Sequence, residues 1–480
     1  MKKILLTLCV VTLSLSANTK NDNTVLLKSL MKEVKTLKQE VVSLKKSKTQ
    51  YNQSIDDIYE NIDRVEAEGF QNKINFGLGF KTNLDNFTKT YADGHKVFNN
   101  NIWSNKLMLN MKANITDNMN FYGRLSMYKY WGSSYIHPYT YYDNMQGRVP
   151  SDSSLYVERA YINWFLFKDS LLPIAFTIGR QPSSDGPSNQ FKDNTKRKGT
   201  YSALLYDGAA DGIVFTANIS KLIKLPKSYL RFGYAKGFGY SQTIPNVSNA
   251  FIGASNNDIK DTNIAGFFLD TTVPNVQNSF IQVSYSKMLD IVANPLDKNS
   301  SQNKNIGDVD LYGAMVQFTN INNTHLDLFA QYGYSHAKPN KNSYIDNGVN
   351  YGGLLGDTSD TTTKDGHSFW LGSRYGFGKK QKYKFGLEYN QGSKNWINLT
   401  QGSFDIYNKL ATRGNAIETY MMYVINRYAN LRIGYVNIDY KYTRSGWFVG
   451  KSRKISNSMD NAQNIVDNLK SVYLKMSVHF

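Results

Sequence analysis

The last ten residues alternate strictly. Val472, Leu474, Met476, Val478 and Phe480 share one face, and Ser471, Tyr473, Lys475, Ser477 and His479 share the other. A period of two marks a strand with one apolar and one wet face. The same period recurs along the chain and predicts about sixteen strands. They lie near 73–82, 103–115, 119–130, 155–167, 173–181, 210–219, 228–238, 263–273, 278–287, 308–319, 324–334, 367–377, 381–390, 416–426, 429–440 and 471–480. Each is close to the ten residues that a tilted membrane strand requires. Their connections alternate in length. Thr116 to Asn118, Asn320 to Asn323, Gly378 to Lys380 and Arg427-Tyr428 are short, whereas 83–102, 131–153, 182–209, 239–262, 335–366, 391–415 and 441–470 are long. A soluble sandwich has no reason to sort its connections by side. The pattern predicts an all-β transmembrane barrel, antiparallel throughout, over residues 73–480. An even strand count puts both barrel ends on the short-turn, periplasmic side. Strand 429–440 breaks the rule: its apolar face switches after Tyr435, which predicts a bulge or a different register.

Before the strands the period is seven. Leu27, Val34, Val41, Lys48, Ile55 and Ile62 take one core position, and Leu30, Leu37, Leu44, Tyr51, Ile58 and Val65 the other. This predicts a periplasmic α-helical coiled coil over 24–68, with a single surface helix as the alternative. Its first half suits a dimer and its isoleucine-rich second half a trimer, so a homo-oligomer is expected, a trimer ahead of a dimer. Residues 1–17 read as a signal peptide: Lys2 and Lys3, then an apolar run from Ile4 to Leu15, then the small residues Ser14-Leu-Ser-Ala17. That run is too short for a membrane helix, and no later stretch reaches the roughly 18 apolar residues one needs.

Composition changes this picture little. Apolar residues make up 41% of the chain and mean hydropathy is −0.46. Such values suggest a soluble protein, except in a barrel, where every second strand residue faces water. The 34 Tyr and 25 Phe suit interfacial girdles. The net charge is +18. Residues 1–73 hold 12 Lys/Arg and 9 Asp/Glu, hence +3, so +15 belongs to the remainder. The basic residues are dispersed, which argues against a nucleic-acid partner. The single cysteine, Cys9, lies in the signal run and leaves no disulfide framework.

The most distinctive stretches are Tyr156-Val-Glu-Arg-Ala-Tyr-Ile-Asn-Trp164, Thr177-Ile-Gly-Arg-Gln-Pro182 and Arg197-Lys-Gly-Thr-Tyr201. With Asp211-Gly-Ile-Val-Phe215, Glu388-Tyr-Asn-Gln-Gly392, Leu410-Ala-Thr-Arg-Gly414 and Gly434-Tyr-Val-Asn-Ile-Asp-Tyr440, they resemble a domain-of-unknown-function family of porin-like outer-membrane proteins. The resemblance covers roughly 155–220 and 386–449, and the heptad segment is outside it. It implies a Gram-negative outer-membrane protein and carries no firm activity. The terminal Phe480 resembles the signal read by the barrel assembly machinery, so outer-membrane lipid and that machinery are the expected partners.

Strand alternation assigns the lumen. With the apolar face towards lipid, seven clear strands give Lys106, Lys112, Arg124, Arg231, Lys382, Lys384, Arg432 and Lys475 to the lumen, against Asp327 and Glu388. Loop 182–209 follows the fifth strand, the place where general porins resemble one another in folding a constriction inward. Arg180, Asp185, Lys192, Lys196, Arg197 and Lys198 are its candidate constriction residues, with Asp193 and Asp207 beside them. One sign of charge in a narrow lumen concentrates the opposite ion, so an anion-preferring diffusion channel for small hydrophilic solutes is expected. The alternative is a plugged barrel that acts as an adhesin or anchor through its loops or coiled coil. Enzymatic readings are weak. Six scattered His form no HExxH, and Gly233, Gly237 and Gly239 sit in a strand, not before a helix. Asp308, Asp310 and Asp357 to Asp360 read as solvated loop charge, so no metal and no cofactor are expected.

Overall fold

The structure is a computed structural model. It describes residues 29, 31–36, 74–132, 150, 152–181, 186–197, 199–208, 210–238, 259–294, 303–400 and 406–480. Residues 31–36 are helical. The predicted signal (1–17) and all the rest of the predicted coiled coil (24–68) except Ser29 lie outside the described residues.

Sixteen strands close into one antiparallel barrel. They are β1 (Ile74–Tyr91), β2 (Lys96–Thr116), β3 (Met119–Tyr130), β4 (Tyr156–Leu166), β5 (Ile174–Gln181), β6 (Ala210–Asn218), β7 (Tyr229–Phe238) and β8 (Thr262–Thr271). Then follow β9 (Ser279–Leu289), β10 (Gly307–Phe318), β11 (Leu326–Pro339), β12 (Lys364–Phe377), β13 (Tyr383–Gly392), β14 (Gly414–Val424), β15 (Ala429–Tyr440) and β16 (Val466–His479). Each strand pairs with its neighbours in sequence, and β16 returns to β1. The seam is completed by Phe480, whose amide and carbonyl bond the carbonyl and amide of Leu78 at 2.9 and 2.8 Å. A closed ladder leaves no strand edge, which is what a bilayer demands of a sheet.

Alternation places the faces as expected. Phe385, Leu387, Leu371, Leu328, Val283, Phe267, Ile433 and Leu474 are exposed on the outer wall. Two aromatic girdles bracket this apolar band. Tyr375, Phe377, Tyr383 and Tyr423 stack towards the short turns. Tyr285, Tyr312 and Tyr334 form one transverse row towards the long loops. The next row out is polar, with Lys287, Asp310, His336 and Asp365 in register. Apolar band, girdles and polar fringe together form the frame of a membrane barrel.

Three expectations change. Predicted loop 83–102 is mostly strand, because β1 and β2 run on as a hairpin whose tip is only residues 92–95. No bulge exists in β15, whose register with both neighbours is unbroken. Its outward side turns polar at Asn437 and Asp439 above the girdle, while Val436 and Ile438 enter a lumenal apolar cluster with Ala416, Leu469 and Tyr473. Third, Lys382 lies in the exposed turn before β13 and is not a lumen strand residue.

At the long-loop end the connections pack on one another. Ile291, Ile306, Tyr344, Leu354, Ile397, Phe448 and Val449 share an apolar core. Backbone bonds Leu355 N to Phe448 O and Gly450 N to Gly353 O, at 2.8 and 2.7 Å, tie two of these loops together.

Candidate functional site in the barrel lumen

The chain leaves β5, and residues 186–197 and 199–208 lie inside the barrel. The short helix α1 (Asn189–Asp193) is its innermost turn. The two arms touch at Gly186, where a Cβ would meet the Tyr201 carbonyl at 2.0 Å, so only glycine fits. One face of the segment is apolar. Phe191, Leu204 and Leu205 are buried with Phe329, Trp370, Trp396 and Leu410. A polar layer locks it to the wall: Gln190 donates to Gln317 at 2.9 Å, and Gln331 donates to the Pro187 carbonyl at 2.9 Å.

The other attachments are charged. Asp193 meets Lys81 of β1 at 2.9 Å, Arg432 of β15 at 3.6 Å and Lys475 of β16 at 3.9 Å. Burial acts to raise the Asp193 carboxyl, but Lys81, Lys475 and Arg432 hold it well below the usual carboxylate range. Lys192 pairs with Glu418 at 3.3 Å. Glu418 also accepts from Lys409 and from Tyr473, the latter at 2.6 Å, and Lys409 reaches Glu388 at 2.6 Å. Arg432 donates to the Lys192 carbonyl. Arg374, held by Asp327 at 2.7 Å, donates to the Phe191 carbonyl at 2.6 Å, and Lys384 donates to Asn194 at 2.5 Å. Arg197 shares Asp270 with Arg231, at 3.1 and 2.6 Å.

These contacts fall on strands β7 to β16 and on β1. The arc β2–β5 carries a separate group. A bulge in β4 opposite Arg124 turns both Glu158 and Arg159 inward. Glu158 lies 3.1 Å from Lys106 and 3.0 Å from Arg124, with Arg159 at 3.8 Å. Lys112 lies over Tyr122. The lumenal face of this arc therefore holds four cations, Lys106, Lys112, Arg124 and Arg159, against one carboxylate, Glu158.

Most of the candidates thus come together. Lys192, Arg197, Lys384, Arg432 and Lys475 tie the inner segment to the wall, Arg231 and Glu388 stand one contact further out through Asp270 and Lys409, and Lys106, Lys112 and Arg124 line the opposite arc. Lys196 is exposed on the segment. Asp185 and Lys198 lie outside the described residues. Arg180 faces the other way: it is in register with Ala160 and Asp211 on the outer wall and pairs with Asp211 at 3.5 Å. Its neighbour Gln181 has the inward position. More acids face the lumen than alternation predicts: Asp85, Glu158, Asp270 and Glu418 are also buried there. Among the described residues, no group of three His, Cys, Asp or Glu could hold a metal.

A closed sixteen-stranded antiparallel barrel with an inward-folded segment after its fifth strand defines the class: a transmembrane barrel of outer-membrane type. Residues 96–480 match the model of DUF3373, a protein family of unknown function, and the chain belongs to that family. No curated protein sequence matches it. Similar solved structures include OmpF of Salmonella typhi in complex with daunomycin, at 12% identity and TM-score 0.45, covering 85% of this chain and 98% of that one. Outer-membrane expressed OmpT of Vibrio cholerae aligns at 12% identity and TM-score 0.42, covering 86% of this chain and 99% of that one.

Proposed function

We propose that the chain is an outer-membrane porin, through which small hydrophilic solutes diffuse along the β2–β5 arc with a preference for anions. The observation that carries this reading is the one-sided seating of segment 186–208. Its charged and apolar anchors lie on β7 to β16 and β1, opposite an arc with four cations and one carboxylate. Within a Debye length of about 8 Å at physiological salt, an excess of fixed positive charge raises the local concentration of anions. In this reading the cations on the segment are held mainly by carboxylates and carbonyls, so the arc sets selectivity. The signal peptide, the periplasmic coiled coil, homo-oligomerisation, contact with outer-membrane lipid and recognition of Phe480 by the assembly machinery belong to the same proposal.

Planar-bilayer recording tests it. Purified protein should give steady conductance, with a reversal potential in a salt gradient on the anion side. Cation selectivity would refute the charge argument. One observation favours a second reading, a plugged barrel that works as an adhesin or anchor: the loop core of Ile291, Ile306, Tyr344, Leu354, Ile397, Phe448 and Val449. Absence of conductance from correctly folded protein would select that reading.

A further inference from the structure

The strand register arranges the β2–β4 arc in transverse rows. One row reads Lys112, Tyr122, Tyr161. The two tyrosine rings are stacked, with centroids 5.3 Å apart and planes 18° from parallel. The Lys112 ammonium lies 5.7 Å from the Tyr122 centroid, on the β2 side of the stack. On the β5 side the next position is Gly179, so in that row no β5 side chain lies over Tyr161. The following row reads Asn110, Arg124, Arg159. Residues two apart on one strand face are separated by about 7 Å. The two guanidinium groups thus stand one row from the edge of an aromatic stack. Further along, Lys106 lies 5.9 Å from the Tyr128 centroid, repeating the pairing of cation and ring.

Small inorganic anions need only the cations. An apolar ring needs only the tyrosines. We propose that this wall is a binding site for small organic anions with a flat, unsaturated body, such as aromatic carboxylates. The ring stacks on Tyr161 over Gly179, and the carboxylate meets Arg159, which shares Glu158 with Arg124, the latter being turned to Asn110 at 2.7 Å, with Lys112 adding field from the far side of the stack. Ring stacking is worth up to roughly tenfold in affinity beyond the area it covers, and a charge-assisted bond to guanidinium adds to it. The proposal rests on the porin reading only for its physiological use.

Saturation-transfer NMR on the full chain in detergent micelles tests binding without an open channel. Benzoate should bind, with its ring protons most strongly saturated. Cyclohexanecarboxylate lacks the flat face, and benzyl alcohol lacks the charge, so both should bind roughly tenfold more weakly. Tyr161→Leu should remove the preference for benzoate over cyclohexanecarboxylate. Lys112→Gln, at a half-exposed position that leaves the stack in place, should weaken benzoate and leave benzyl alcohol unchanged. Heat-modifiable migration on gels reports that each variant is folded. Equal binding of benzoate and cyclohexanecarboxylate overturns the proposal, as does a Tyr161→Leu or Lys112→Gln variant with unaltered preferences. Conductance is recorded separately. Benzoate binding without conductance sinks the porin reading alone, and conductance without benzoate binding sinks this inference alone.

Discussion

Asp193→Asn is the sharpest test of how the inner segment is held. The substitution keeps shape and hydrogen-bonding capacity but deletes the charge shared by Lys81, Arg432 and Lys475 at 2.9, 3.6 and 3.9 Å. The Asp193 side chain is 13% exposed and those of Arg432 and Lys475 are 3% and 7% exposed, so water replaces the lost charge poorly. Removing one partner of a buried ion pair costs about 3–5 kcal/mol, because the remaining charges are left buried and uncompensated. Arg432 retains its bond to the Lys192 carbonyl, which places the expected cost near the lower figure, about 3 kcal/mol. At about 1.4 kcal/mol per decade, the ratio of docked to undocked segment falls by roughly a hundredfold. The Gln317 and Gln331 bonds and the Phe191 core remain, so the segment should lift from β1, β15 and β16 while staying hinged on β10–β12. In single-channel recordings the variant should show larger or noisier conductance, and trypsin should cut at Lys192 or Lys196 in folded protein. The wild type carries its own control. A carboxyl held below its ordinary range contributes stability that is fully present above the unfolded value, about 3.9, and lost only as pH falls through the lower folded value. Wild-type conductance noise should therefore stay constant from pH 7 to pH 4.5, whereas the variant is noisy throughout. Identical conductance and protease resistance in the two proteins would refute the anchoring role.

Three further outcomes are expected. Gly186→Ala drives a methyl into the Tyr201 carbonyl and should cost about 2 kcal/mol through forced separation of the two arms, read as extra protease cleavage inside 186–208. Arg413 is fully buried and donates to the carbonyls of Trp396, Thr443 and Trp447, so Arg413→Leu should cost about 3 kcal/mol. Its reporter is proteolysis of loops 393–413 and 441–465 in a barrel that still shifts on heating. Phe480 is 70% exposed, so Phe480→Ala should leave thermal stability nearly unchanged while lowering the amount of barrel recovered in the outer-membrane fraction.

The barrel was legible because alternation is a local property of each strand. Lys106 and Lys112 among apolar neighbours announce their face directly, and the structure agrees. Alternation gives only relative facing, however. Glu158 was missed because a bulge puts two successive residues on one side, and no residue type in Tyr156–Arg159 signals it. Arg180 is the next-to-last residue of β5, and the strand's parity sends it outward to Asp211, away from the loop's constriction residues. Asp270 and Glu418 were missed for another reason. Their strands send Phe268, Tyr420 and Met422 inward as well, to meet the inner segment or to line a crowded lumen, so the wet face reads as apolar. A barrel filled by its own chain loses part of the contrast on which face assignment depends.

Asp193 touches both strands of the seam. Lys81 belongs to the first strand and Lys475 to the last, and a single carboxylate lies within reach of each. The sheet closes only when the final strand meets the first, after every other strand has been laid down. The inner segment lies at the place where the two ends join, and it presents one negative charge within reach of both lysines. The seam register sets Lys81 opposite Ser477 and Lys475 opposite Asn83, so the two lysines are diagonal neighbours, and a barrel closed with the segment outside would leave both without the Asp193 charge. Docking of the segment and closure of the seam are thereby coupled through one carboxylate.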